Sequence, residues 1–162
     1  RWRALPSPPA VLIAGSGPAY LRLERRIAEK RAPVTLLGHR TDIADLLAGA
    51  DLAVVTSDWE ARQLFAQEAL RAGVPLVATA VGGIPDLVGD AAVLVPPGDV
   101  DAIDEAVRGL LADEDRRATL ARRGPARAAT WPTEADTVAT VVAVYRELLA
   151  GTSGRSSEPE PH

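Results

Sequence analysis

The sequence predicts an α/β fold of Rossmann-like type, a parallel sheet with helices on both faces. Three observations predict it. Short apolar runs of strand length alternate with helix-length amphipathic stretches from Val11 to about Leu149. The runs are continuously apolar, as strands covered on both faces are. Glycine or proline punctuates the exits of the runs, as in Gly15-Ser16-Gly17-Pro18, Gly82-Gly83 and Pro96-Pro97-Gly98.

Taken in order, residues 1–9 read as the remnant of a preceding helix followed by a Pro-rich connector. Val11-Leu12-Ile13-Ala14 reads as a buried strand ended by a tight turn. From Ala19 to Arg31, Leu21, Leu23, Ile27 and Ala28 recur among charges, the pattern of an amphipathic helix. Pro33 to Leu37 is the second strand, Gly38-His39-Arg40 its exit loop, and Thr41 is suited to cap the helix carrying Ile43, Leu46 and Leu47. Leu52 to Val55 is the third strand, Leu64 to Ala72 a helix and Pro75 to Ala78 the fourth strand. Pro85 fits the first turn of a short helix. After a fifth strand, Ala92 to Val95, Asp99 or Asp101 opens a helix to about Leu111, and Asp113 or Asp115 another to about Ala129. Trp131-Pro132 turns the chain into a last helix, Thr133 to Leu149. Residues 10–150 are thus expected to form one domain, and the Ser/Glu/Pro-rich tail, 151–162, to be disordered.

Composition removes several functional classes. A chain of 162 residues, 47% hydrophobic and 25% charged, is of ordinary single-domain, globular type. No apolar run approaches the roughly 18–20 residues of a spanning helix. A net charge of -4 gives no basic footprint, so no nucleic-acid partner is expected. Cysteine is absent and the histidines, His39 and His162, lie far apart, so no metal site is predicted. Methionine is absent too, so Arg1 is not read as a translation start and the chain is expected to be part of something longer.

Ligands of open parallel sheets bind at the carboxyl ends of the strands. The informative segment therefore follows the third strand, Ser57-Asp58-Trp59-Glu60 through Glu68-Ala69 to Ala72-Gly73-Val74-Pro75, with two glutamates separated by seven residues. Backbone N–H groups from Arg62 to Phe65 form a positive helix end suited to a diphosphate. Glu60 stands ahead of it as an acceptor for sugar hydroxyls. Glu68 lies in a helix apolar nearly all round, where a buried carboxylate costs several kcal/mol unless donors reach it; two ribose hydroxyls would be such donors. A blander reading pairs Glu68 with Arg71 or Arg62 on a solvated edge, worth about 0–1 kcal/mol. Spacing alone leaves both open.

The stretch resembles the signature of the family 4 glycosyltransferases, retaining enzymes with two facing Rossmann-like domains (the GT-B architecture). The resemblance runs on through Val81-Gly82-Gly83-Ile84-Pro85-Asp86 and Ala91 to Asp99. Upstream it takes in Ala14 to Pro18, Leu37-Gly38 and Ala50-Asp51. It covers roughly residues 10–149 and implies a C-terminal, donor-binding domain. Glu60 would be the catalytic residue, contacting donor-sugar hydroxyls and orienting the anomeric carbon. Glu68 would hold the ribose, and the amides of Arg62, Gln63 and Leu64 would meet the phosphates and sugar. Gly38, His39 and Arg40 would flank the base, and Gly82 and Gly83 would let the backbone approach the donor. His39 reads equally as a solvated loop residue, and the two glycines as a plain turn. Where many members carry Gly-Phe-Gly after the first glutamate, this chain has Ala61-Arg62-Gln63, which leaves donor identity open.

The resemblance also implies what lies outside the chain. Members place a strand and a glycine-rich turn with an arginine and a lysine before the segment matching Val11. In the order 3-2-1-4-5-6 that strand is central. The expected donor is a nucleoside-diphosphate sugar, with no cofactor and no required metal. The acceptor, a sugar, lipid or small molecule, would be bound through an N-terminal domain, and this chain would be inactive alone. A cytoplasmic setting is expected, and a peripheral membrane contact of the intact enzyme is compatible with it. Two alternatives remain: a sugar-nucleotide epimerase of the same architecture, and a non-catalytic Rossmann-like module. For the second, Tyr20 occupies the third glycine position of Gly-x-Gly-x-x-Gly.

Overall fold

A computed structural model describes residues 2–153 of the chain. The chain divides into two compact units, one ending at Ala129 and one beginning at Thr130. After a 3-10 turn at Trp2–Ala4, the first unit runs β1 (Val11–Ala14), α1 (Tyr20–Lys30), β2 (Val34–Gly38), α2 (Ile43–Ala48), β3 (Ala53–Val55) and α3 (Leu64–Arg71). It continues with β4 (Leu76–Thr79), α4 (Ile84–Val88), β5 (Val93–Val95), α5 (Val100–Ala112) and α6 (Glu114–Ala128). The predicted alternation is the observed one, and the fold is α/β, Rossmann-like.

Local chemistry sets the boundaries. Arg31 ends α1 in the left-handed region at φ 47°, a position glycine more often takes. Asp99 and Asp113, rather than Asp101 and Asp115, are the N-caps of α5 and α6; their carboxylates accept from Ala102 N at 2.9 Å and Arg116 N at 2.8 Å. At α2 the cap position belongs to Asp42, not Thr41. Asp42 makes no side-chain cap bond, because its carboxylate is taken by Arg40.

The strands form two parallel sheets rather than one, β1-β2 and β3-β4-β5. Among the described residues the break falls between β1 and β3. In the larger sheet β4 is fully buried at all four residues. Since successive side chains point to opposite faces, both faces of β4 are covered. Val77, Val95, Val107, Leu110 and Leu120 make the core on one face, with Trp2 packed half-buried against it.

The smaller sheet differs. β1 was expected to be buried, but Leu12 is 55% and Ile13 39% exposed. Among the described residues β1 pairs only with β2, so the four apolar residues lack the second cover that β4 has.

Helix α6 packs on α3 through Gly124, where a Cβ would lie 2.7 Å from the Leu70 carbonyl oxygen. The close crossing buries Ala66, Ala69 and Leu70 and leaves the opposite face of α3 outward.

In the second unit, α7 (Glu134–Ser153) begins at a capping box: Thr133 Oγ1 accepts from Asp136 N at 3.2 Å and Asp136 Oδ2 accepts from Thr133 N at 2.9 Å. Hydrogen bonds from Thr133 hold the Asp136 carboxyl below the usual carboxylate range. The helix continues past the expected Leu149 to Ser153, and the rest of the expected tail, 154–162, lies outside the described residues.

Candidate functional site

At the C-terminal ends of β3 and β4 two loops interlock. Thr79, the last residue of β4, is fully buried and donates its Oγ1 to the Ser57 carbonyl at 2.6 Å. Gly83 N–H donates to the Glu60 carbonyl at 3.1 Å. The approach there is too close for any side chain. A Cβ at Gly82 would lie 1.8 Å from Glu60 O, and one at Gly83 2.2 Å from Ala61 O.

Within this frame Glu60 is half-buried, and its Oε1 accepts from Ser57 Oγ at 2.8 Å and from Gln63 Nε2 at 2.6 Å. Gln63 is also the N-cap of α3, its Oε1 accepting from Phe65 N at 3.1 Å. One side chain therefore sets both where the helix starts and how the carboxylate stands. The Phe65 amide, expected free for a phosphate, is instead taken by this cap.

Glu68 lies one turn after Leu64 on the outward face of α3, where Leu64 is 71% exposed. The helix was read as apolar nearly all round; its burial is in fact one-sided, and Glu68 is exposed. Arg62 is exposed as well.

The base-flanking candidates form a second group at the end of β2. Gly38 takes φ 66°, and His39, Arg40, Thr41 and Asp42 line an open depression of about 290 Å³. The Arg40 guanidinium grips Asp42 in a two-pronged pair, Nε to Oδ1 at 2.7 Å and Nη2 to Oδ2. The hydrogen bond from Arg40 holds the Asp42 carboxyl below the usual range, and the same pair raises Arg40 further. The structure thus brings Glu60, Gln63, Gly82 and Gly83 together, while Gly38, His39 and Arg40 lie at the end of β2 in the other sheet.

Sequence reasoning gave no role to Thr79 or Asp42. An Arg-x-Asp spacing in a strand-exit loop was the available signal for Asp42. None existed for Thr79, whose partner is 22 residues away. Among the described residues no group of three acidic or histidine side chains is placed to hold a metal ion, and no helix is long and apolar enough to cross a membrane.

Fold and site together define a Rossmann-like domain that holds a glutamate carboxylate at the mouth of a parallel sheet. The sequence profile described as "Glycosyl transferases group 1" matches residues 3–113. The chain belongs to the group 1 glycosyltransferases. It is 37% identical over 150 residues to the D-inositol 3-phosphate glycosyltransferase of Mycobacterium marinum, covering 89% of this chain and 32% of that protein. Among solved structures it is similar to sucrose-phosphate synthase from Thermosynechococcus elongatus, with 31% identity, a TM-score of 0.76, and coverage of 88% of this chain and 39% of that one. It is also similar to Anabaena Alr3699/HepE in complex with UDP-glucose, with 26% identity, a TM-score of 0.74, and coverage of 90% and 42%. The chain spans about a third of the length of the curated relatives it matches. These comparisons favour neither the epimerase nor the dinucleotide-module alternative.

Proposed function

We propose that this chain is the donor-binding part of a retaining, family 4, GT-B glycosyltransferase that moves a sugar from a nucleoside-diphosphate sugar to an acceptor. The observation that carries the reading is the Glu60 carboxylate. Ser57 and Gln63 both act on its Oε1, so its orientation is fixed before any ligand arrives. Preorganised polar groups of this kind stabilise developing charge without reorganisation. The likeness to a structure in complex with UDP-glucose supports a nucleotide sugar as donor.

In this reading Glu60 accepts hydroxyls of the donor sugar and orients its anomeric carbon, and Glu68 accepts the ribose hydroxyls. The amides of Arg62, Gln63 and Leu64 meet the phosphates. Gly38, His39 and Arg40 flank the base, and Gly82 and Gly83 lie at the donor side of the sheet. The bond from the anomeric carbon to the diphosphate breaks, its electrons leaving with the phosphate. The acceptor oxygen bonds to the same face and passes its proton to the departing phosphate. No cofactor is assigned. The acceptor is bound by a further domain, and the setting is cytoplasmic, with a peripheral membrane contact compatible.

The test is a thermal-shift titration of the chain with UDP, GDP, ADP and NAD, alone and as Glu68→Ala. One nucleoside diphosphate is expected to raise Tm, and the rise to vanish in the variant. A rise with NAD that survives Glu68→Ala overturns the reading.

A further inference from the structure

We infer that the Gly82-Gly83 turn is the seat of the Glu60 loop: the two glycines are positioning residues whose bare backbone sets where the carboxylate stands. The inference rests on the reading of Glu60 given above. The space a side chain would occupy at each glycine is filled by the loop's own carbonyls, those of Glu60 and Ala61, at 1.8 and 2.2 Å from the two Cβ positions. The Gly83 N–H bonds the first of these carbonyls, and Thr79 ties the loop's other end at Ser57.

Which side yields to an added methyl is decided by burial. Behind the turn, Ile84 and Val88 of α4 are fully buried and Leu87 nearly so. On the other side Trp59 is 75% exposed, and Ala61 and Arg62 are exposed. Moving α4 disrupts a close-packed core, whereas moving the loop displaces mainly solvated groups. The loop moves, and Glu60 moves with it.

Backbone strain and steric contact separate cleanly among the glycines. Gly83 has an ordinary φ of -83°, so Gly83→Ala adds contact alone. Gly98, at φ 73° with open space around its Cβ position, makes Gly98→Ala the strain-only control. Gly82, at φ 49°, combines both.

The experiment follows the Trp59 indole N–H resonance and the exchange of the residue 83 amide in these three variants of the full chain, with titrations of UDP and UDP-glucose. Gly83→Ala and Gly82→Ala are expected to shift the Trp59 resonance and speed exchange of the residue 83 amide at least about tenfold, with β4 exchange unchanged. Gly98→Ala is expected to do neither. Wild-type loop behaviour in Gly83→Ala overturns the inference, as does an equal effect from Gly98→Ala. If the loop moves while the affinity for UDP-glucose relative to UDP stays as in the unsubstituted chain, the seat stands and the assigned role of Glu60 falls. If the variants do not fold, the unsubstituted chain decides: slow exchange of the Gly83 N–H, which donates to the Glu60 carbonyl, supports the seat, and fast exchange at Gly83 overturns it.

Discussion

At Thr79 a single hydroxyl holds the segment that leads from β3 to Glu60. It is fully buried and satisfied by the Ser57 carbonyl 22 residues away. Thr79→Val keeps the shape and removes the donor, leaving a carbonyl without its partner, at a cost of about 1–3 kcal/mol. A lower urea midpoint checks it, and an unchanged midpoint rejects the contact as a stabilising one. At the other group, Asp42 titrates below its unfolded value because Arg40 bonds it. A depressed carboxyl contributes stability above its unfolded pKa and loses it as pH falls through the lower folded value. Carboxyl NMR is expected to find the Asp42 midpoint below that of an unfolded aspartate, and Arg40→Gln to raise it. An unshifted midpoint in both proteins contradicts the pair. Both predictions concern residues whose identity was plain and whose partner was not. Gln63 stood one residue before a predicted helix start, so its capping role was within reach of the sequence. Its simultaneous bond to Glu60 depends on the loop path, which no spacing rule supplies.

Between elements, the α3–α6 crossing sets the face on which Leu64 and Glu68 look outward. Gly124 lies inside α6, where Gly→Ala ordinarily gains roughly 0.5–1 kcal/mol in helix propensity. Here the new Cβ would meet the Leu70 carbonyl oxygen at 2.7 Å, a backbone atom that no side-chain rotation can move aside. Overpacking of that sort costs about 1–3 kcal/mol, so Gly124→Ala is expected to lower stability. A raised urea midpoint would mean that α3 retreats at no cost. The element boundaries were legible because capping chemistry is local: α6 was placed from Asp113 or Asp115 to about Ala129, and runs Glu114–Ala128. The Gly124 contact was not legible, since a glycine before a proline inside a helix reads as a weak point until the neighbouring helix is known. The one-sided burial of α3 escaped for the same reason. Leu64 is as apolar as Leu70, yet one is 71% exposed and the other fully buried.

Across the first unit burial is uneven, and the unevenness follows the break in the sheet. None of residues 2–46 is buried and Leu47 is the first that is, whereas every residue of β4 is. Composition did not reveal this. Val11-Leu12-Ile13-Ala14 is at least as apolar as Leu76-Val77-Ala78-Thr79, and both read as interior strands. What separates them is the number of covered sides: β4 has a strand on each edge and both faces packed, while among the described residues β1 has β2 alone. Local opening costs little where few apolar groups are exposed by it, and approaches the global unfolding free energy in the core. Native-state hydrogen exchange of the chain is therefore expected to show β1 amides exchanging at least about 10²-fold faster than those of β4. Fast β1 exchange would place the base-flanking group, Gly38 to Asp42, on the labile part of the unit and Glu60 on the stable part. A ligand that bridges them would then be read by exchange as a selective slowing of β1 and β2. Equal protection of β1 and β4 would instead mean that the two sheets open as one, and that the break between them carries no energetic weight.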